Sequence, residues 1–130
     1  MSTFHPLPEL TWRADEVVRE IDDRPHLLAR VEISGTYFPQ RAAEPFVRVV
    51  VGRRRAVESW FAEVSDDNQH LRGYFPVDLP RRGAIEFGYG HRVMGRLPGR
   101  FDAGAVTRLD RHRLPRDVVV VSARYVAGKR

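Results

Sequence analysis

The pattern of apolar and polar residues changes after the first quarter of the chain. Apolar residues in the range 10–21 recur at helical spacing, which predicts an amphipathic helix with Thr11 as its N-cap. Pro25 would end that helix, although a pair of β-branched valines inside the same range would also suit a strand. Residues 1–25 are therefore predicted to form an N-terminal arm or one short helix.

Strand patterns replace the helical spacing from residue 28 onwards. Apolar and polar residues alternate in the range 28–38, which is typical of a strand with one solvated face. Further strands are predicted at 46–51, 56–64, 71–79, 84–93 and 117–126, with a short strand or helical turn at 106–109. Pro76 is expected at a sheet edge or a strand end because it lacks an N–H donor. The valine run at 118–121 predicts that the last strand is buried on both faces.

Six or seven strands with turn residues between them favour an antiparallel β-sandwich over alternating β-α units. Trp60, at the centre of the third predicted strand, resembles the core tryptophan of immunoglobulin-like sandwiches. The fold is accordingly predicted to be mainly β, a single antiparallel β-sandwich that is immunoglobulin-like in architecture. This sandwich would comprise residues 26–130, and a small β-barrel is the alternative.

Length and composition restrict the class of protein. A chain of 130 residues with 42% hydrophobic residues fits one soluble domain. The chain has no cysteine, which excludes disulfides, thiolate metal sites and a cysteine nucleophile. The sequence starts without a basic segment followed by an apolar run and contains no apolar stretch of membrane-spanning length. We therefore expect a cytoplasmic protein that does not enter a membrane.

The net charge of +5 is unevenly distributed along the chain. Residues 1–45 carry 5 Arg against 8 acidic residues, whereas residues 71–130 carry 12 Arg and 1 Lys against 5 acidic residues. Such asymmetry suits an anionic partner, but it equally suits an acidic N-terminal segment that packs on the basic half of the chain or of a second copy.

No motif for catalysis, a cofactor or a metal emerges from the chain. The five histidines are dispersed without metal-ligand spacing, and no serine lies in a nucleophile elbow. The sequence Gly88-Tyr89-Gly90 lacks the spacing of a phosphate-binding loop and is more typical of a strand irregularity. We predict no catalytic, cofactor-binding or metal-binding residues, and hence no enzyme.

Arginine clusters are the strongest remaining signal. Planar guanidinium groups suit phosphates and stack on bases, so converging arginine-rich loops would favour nucleic-acid or polyanion binding. The residues predicted for such a site are Arg53, Arg54, Arg55, Arg108, Arg111 and Arg113.

Protein–protein contact is the function that the sequence favours over nucleic-acid binding. A small sandwich has exposed edge strands, and the valine-rich last strand or the N-terminal arm could dock on another protein or on a second copy. Neither protein–protein contact nor nucleic-acid binding needs a catalytic residue. We therefore predict a non-catalytic interaction or assembly module, with a protein partner or homo-oligomer, and nucleic-acid binding as the alternative.

Overall fold

A computed structural model describes residues 9–53 and 55–122 of the chain. Within these residues the chain forms ten strands and two short 3₁₀ helices. The strands are β1 (Thr11–Ile21), β2 (Arg24–Ser34), β3 (Pro45–Gly52), β4 (Arg55–Glu58), β5 (Phe61–Val64), β6 (His70–Phe75), β7 (Arg82–Tyr89), β8 (Arg92–Arg96), β9 (Phe101–Asp102) and β10 (Val119–Val120). The 3₁₀ helices span Ala103–Ala105 and Arg111–Arg113.

The strands form two sheets. Sheet A has the order β1-β2-β6-β5, and β10 adds to β2 in parallel. Sheet B has the order β4-β3-β7-β8, with β9 also paired to β7. The prediction of a mainly β, sandwich-like fold is confirmed, and no closed barrel forms among the described residues. The immunoglobulin-like architecture stays a prediction. Within the same residues no helix is long and apolar enough to cross a membrane.

The predicted N-terminal helix is wrong, because most of the range 10–21 is strand β1. This strand pairs with β2 along its whole length. Arg13 donates to Glu32 at 2.8 Å, and Arg30 forms an ion pair with Asp15 at 2.7 Å. These cross-strand pairs and the burial of alternate residues override the helical spacing, as tertiary contacts commonly do.

The acidic pair Asp22-Asp23 makes the turn between β1 and β2. Both residues lie in the left-handed region, with φ values of 52° and 62°. This is the backbone of a two-residue type I′ turn, which matches the twist of a hairpin and tolerates aspartate better than most residues. Two consecutive aspartates at this position are therefore a hairpin signal in the sequence.

Two predicted strands divide into two strands each. The range 56–64 becomes β4 in sheet B and β5 in sheet A, with Ser59 and Trp60 at the crossing. Trp60 is 41% exposed, so the prediction that it is a core tryptophan is wrong. The range 84–93 becomes the hairpin of β7 and β8, which turns at Gly90 with a φ of +62°.

The main hydrophobic core lies between the two sheets. Its buried residues include Val31, Ile33, Val47, Val49, Leu71, Phe75, Ile85, Phe87 and Phe101. At Gly73 in β6 a Cβ atom would lie 2.6 Å from the Cβ of Val47, so the sheets approach too closely there for any larger residue. β6 ends before Pro76, as the missing donor predicts, but it lies inside sheet A and not at its edge.

A second, smaller cluster covers part of the outer face of sheet A. Its buried members are Leu28, Tyr74 and Val121, and Phe61 stacks on Tyr74 with 4.7 Å between ring centroids. The described part of the predicted last strand forms β10, and Val120 is 47% exposed, so burial on both faces is wrong. The remainder of that predicted strand, residues 123–126, lies outside the described residues.

A row of alternating charges crosses the outer face of sheet A. Glu32 in β2 is 4% exposed and accepts hydrogen bonds from Arg13 at 2.8 Å and Arg72 at 2.7 Å. Burial alone would raise the pKa of Glu32, but the hydrogen bonds from the two arginines outweigh it and hold the pKa below its usual value. The row therefore stabilises the pairing of three strands while leaving little unpaired charge.

Sheet B repeats this arrangement on its own outer face. Glu86 in β7 is 8% exposed and accepts hydrogen bonds from Arg48 in β3 and Arg96 in β8. Burial alone would raise the pKa of Glu86, but the hydrogen bonds from the two arginines outweigh burial and lower it. Several of the arginines counted in the sequence are thus used inside the molecule.

Candidate binding surfaces

The first predicted arginine cluster lies where β3 turns into β4. Arg53 follows β3 and Arg55 begins β4, and both side chains are exposed. No described residue forms an ion pair with either of them. The third member of the cluster, Arg54, lies outside the described residues.

Further arginines lie at the end of sheet B where β3 turns into β4. Val50 in β3 pairs with Ala84 in β7, so the first residue of β7, Arg82, lies level with the end of β3. On the β9 side Arg82 pairs with Asp102, and Arg100 lies two residues before Asp102 in the chain. We name this end of sheet B the basic end. It consists of Arg53, Arg55, Arg81, Arg82 and Arg100.

The second predicted cluster lies in a segment that runs along β1 and is largely paired internally. Both terminal nitrogens of Arg111 bind the carboxylate of Glu16, at 2.7 and 3.0 Å, and the Leu109 N–H donates to it at 2.9 Å. Arg113 lies 3.7 Å from Asp110 in the same turn. Arg108 is exposed at a cavity of about 230 Å³ that Glu16 also lines. Among the described side chains no hydrogen bond or ion pair joins this cluster to the basic end.

The edges of the two sheets differ in what covers them. On β1 the Glu16 N–H donates to the Thr107 carbonyl at 2.8 Å, and the Thr107 N–H donates to the Ala14 carbonyl at 3.0 Å. The edge of β1 is thus partly occupied by the chain itself. β8 pairs only with β7 among the described residues, so its other edge presents unpaired backbone groups.

An apolar pocket of about 230 Å³ opens beside β8. It lies between β8, the loop after β2 and the residues before β1. We name it the β8 pocket. Its lining includes Leu10, Tyr37, Phe38, Phe87, Tyr89 and Met94, with Arg41 and Arg96 as the charged members.

The pocket wall is packed against the core on one side and exposed at its mouth. Phe38 and Phe87 pack edge to face, with ring centroids 5.5 Å apart, and both belong to the main core. Tyr89 donates its hydroxyl to the Pro39 carbonyl at 2.8 Å. Tyr37 and Met94 are 63% and 42% exposed. Large hydrophobic residues this exposed, beside a preformed pocket, are typical of a binding surface.

Arg41 gives the pocket mouth a positive charge. Its guanidinium carbon lies 4.9 Å from the centroid of the Tyr89 ring. No described carboxylate forms an ion pair with Arg41. Burial raises the pKa of Tyr89, against the lowering effect of Arg41, so its hydroxyl stays neutral at physiological pH.

One arrangement resembles part of a catalytic triad. The Ser34 hydroxyl and His70 Nδ1 are 2.7 Å apart, and the same nitrogen lies 3.9 Å from Glu32. A relay needs the serine and the carboxylate on opposite nitrogens of the ring, whereas here both face Nδ1. Ser34 and His70 are paired neighbours on β2 and β6, and their bond is of the cross-strand kind that stabilises sheets. Among the described residues no group of histidine and acidic side chains is arranged to hold a metal ion.

No sequence pattern in this chain predicts the β8 pocket. The sequence predicts a strand over 28–38, which contains Tyr37, and its predicted strand 84–93 ends before Met94. The turn residue Gly90, which creates the β7–β8 hairpin, was the available signal. Comparison with protein-family models, with curated proteins and with solved structures found no match for this chain.

Proposed function

We propose that this protein is a non-catalytic protein-interaction module that receives an extended, acidic segment of a partner protein along β8. The observation that carries the proposal is the combination of an uncovered edge strand and a preformed apolar pocket directly beside it. Peptide recognition by strand addition uses these two features together: backbone hydrogen bonds supply affinity, and a side-chain pocket supplies specificity.

The β8 pocket suits one large apolar side chain of the partner. Its rings belong to a packed core, so little conformational entropy is lost on binding. Tyr37 and Met94 at the mouth would be covered by the partner, which removes exposed apolar surface from water.

Charge supports an acidic partner over a second copy of the same strand. β8 begins with Arg92 and ends with Arg96, and Arg100 follows shortly after. Two copies of β8 side by side would bring the arginines of both copies together, and among the described residues only the charge of Arg96 is compensated within its own chain, by Glu86. Aspartate or glutamate flanking the apolar anchor would instead meet Arg92 and Arg41, for which no described ion pair exists.

A displayed library of random dodecapeptides, selected against the whole protein, tests this proposal. We expect enrichment of sequences that combine one large apolar residue with acidic neighbours. Binding of a selected peptide should slow amide hydrogen exchange in β8, because strand addition protects backbone N–H groups. Met94→Ala should weaken the affinity for the selected peptide about tenfold or more, as expected for an interface anchor.

The matched control is Val51→Ala, a similarly exposed apolar residue on sheet B outside the β8 pocket. We expect this variant to bind as the parent does. Equal binding by Met94→Ala and the parent, or protection of amides elsewhere than β8, would refute the proposal.

Polyanion binding is the second proposal, and the basic end supports it. Arg53, Arg55, Arg82 and Arg100 are exposed, and none has an ion-pair partner among the described residues. We expect a short single-stranded oligonucleotide to bind at low salt with an affinity that falls steeply as salt rises. Arg53→Gln with Arg55→Gln should weaken this binding, whereas Arg113→Gln should not. No binding at low salt would exclude the proposal.

We further propose a cytoplasmic location and, as a variant of the interaction role, self-association. Sedimentation of the parent and of a chain lacking residues 1–8 tests self-association. Removal of residues 1–25 is not a suitable test, because it would delete β1 and with it eleven residues of sheet A. If the parent and the shortened chain are both monomers, self-association is excluded and the partner is a different protein. Cell fractionation tests the proposed cytoplasmic location.

A further inference from the structure

A groove lies where the chain passes from one sheet to the other. The Ser59 N–H donates to the Val47 carbonyl in sheet B, and the Trp60 N–H donates to the Tyr74 carbonyl in sheet A, both at 2.8 Å. Two consecutive residues are thus fixed to different sheets. The backbone at Trp60 is anchored while its indole stays 41% exposed.

Aromatic rings and carboxylates line this groove, which has a volume of about 480 Å³. We name it the Trp60 groove. Phe46, Trp60 and Phe61 supply the rings, and Glu44 and Glu58 supply the carboxylates. Neither carboxylate has an ion-pair partner among the described residues. His91 also lines the groove. Arg48 is the cross-strand neighbour of Glu58, but its guanidinium is held by Glu86 and its carbon lies 5.6 Å from the centroid of the Phe46 ring.

We propose that the Trp60 groove binds an arginine side chain of a basic peptide segment on a partner protein. A guanidinium group stacks on an indole face by cation–π attraction and forms paired hydrogen bonds with a carboxylate. The two glutamates form a locally acidic site on a protein whose net charge is +5, so the groove favours a cationic ligand.

The groove is separate from the β8 pocket and has the opposite charge. The two sites share no lining residue. The inference therefore does not depend on the proposed role of β8, and a variant in either site distinguishes them.

The test uses a fluorescent peptide of glycine and serine with two arginines, and a matched peptide with glutamine at both positions. We expect the arginine peptide to bind the whole protein and to shift the tryptophan emission. Trp60→Ala should weaken binding about tenfold or more, and Glu44→Gln with Glu58→Gln should do so without changing side-chain size.

Three controls make the result decisive. Glu20→Gln removes an exposed carboxylate of β1 outside the groove and should leave binding unchanged. Met94→Ala, in the β8 pocket, should also leave it unchanged. Circular dichroism establishes that each variant is folded, and Trp12, packed at 5.1 Å from Phe101, provides an internal reference for tryptophan emission.

The expected result is binding that requires arginine, Trp60 and the two glutamates. Equal affinity for the glutamine peptide, or unchanged affinity in the double glutamine variant, would overturn the inference. Binding of an acidic peptide with the same dependence on Trp60 would also overturn it. A lysine peptide that binds as tightly would contradict the assignment of a guanidinium ligand.

Discussion

The buried carboxylate of Glu16 provides the most direct test of how the chain holds its last quarter against sheet A. Its side chain is 1% exposed and accepts two hydrogen bonds from Arg111 and one from the Leu109 N–H. Replacing Arg111 with alanine leaves this carboxylate in the interior with a single backbone donor. We therefore expect a large loss of stability from replacing a residue that the sequence predicts to bind an anionic partner.

The magnitude follows from the exposure of the two partners. Removing one member of a fully buried ion pair costs about 3–5 kcal/mol, because the remaining charge is left without compensation. The Arg111 side chain is 45% exposed, so water can reach the site from that side and screen part of the effect. We therefore expect Arg111→Ala to lower the free energy of unfolding by about 2–3 kcal/mol.

Urea denaturation at neutral pH, followed by circular dichroism, measures this loss. Arg113→Ala is the matched control, because it lies in the same turn but is 88% exposed and 3.7 Å from Asp110. It should change stability by less than about 0.5 kcal/mol. Adding Glu16→Gln to Arg111→Ala should recover part of the loss, because the neutral amide is cheaper to bury than an unpaired carboxylate.

The reasoning is refuted if Arg111→Ala and Arg113→Ala have the same small effect. It is also refuted if Glu16→Gln destabilises the Arg111→Ala variant further. Hydrogen exchange supplies an independent measurement: the Thr107 amide, which bonds to the Ala14 carbonyl, should exchange faster in Arg111→Ala and at the parent rate in Arg113→Ala.

Three further predictions concern the sheets. The lowered pKa of Glu32 means that its stabilising contribution is present above the ordinary glutamate pKa and is lost as pH falls through the lower, folded-state value. Glu32→Gln should therefore lower the free energy of unfolding by about 1–2 kcal/mol at neutral pH. The difference in unfolding free energy between variant and parent should shrink in acid, and a difference that is constant with pH would contradict this. Changing Asp22-Asp23 to Asn-Gly should raise stability by up to about 1 kcal/mol in urea denaturation, since both positions are left-handed; destabilisation would contradict the turn type. Gly73→Ala should destabilise by about 1–3 kcal/mol through contact with Val47, and Val47→Ala in the same chain should relieve part of it.

Strands with a clear two-residue alternation were predictable because alternation depends only on which face of a sheet is buried. β2, β3 and β6 lie within a few residues of their predicted positions. Their bounds shifted where a turn, and not a change in pattern, ended the strand. β6 stops before Pro76 because proline lacks a donor, which is a local property and therefore readable from the sequence.

β1 shows why the first prediction failed. Its apolar residues satisfy a helical spacing, but Arg13, Asp15 and Glu16 find their partners on β2 and on the segment after β9. Those partners are up to 95 residues away in the chain. No local pattern contains that information, so intrinsic spacing was overridden by long-range pairing.

The candidate sites were even less accessible to sequence reasoning. The β8 pocket joins residues before β1, after β2 and in β8, and the Trp60 groove joins residues from β3 to the β7–β8 turn. Arg111 is paired with a buried glutamate, while Arg53 and Arg55 remain exposed. The sequence treats these arginines alike, because charge type is local whereas the distance to an opposite charge is not.

By itself the sequence determined that this chain forms one mainly β fold without cysteine chemistry, because strand alternation, turn residues and composition are local properties. Only the tertiary structure decided which arginines form ion pairs, which edge strands stay uncovered and where apolar pockets open. These features arise from contacts between strands that are distant in the chain, and such contacts are selected by the packing of the whole core.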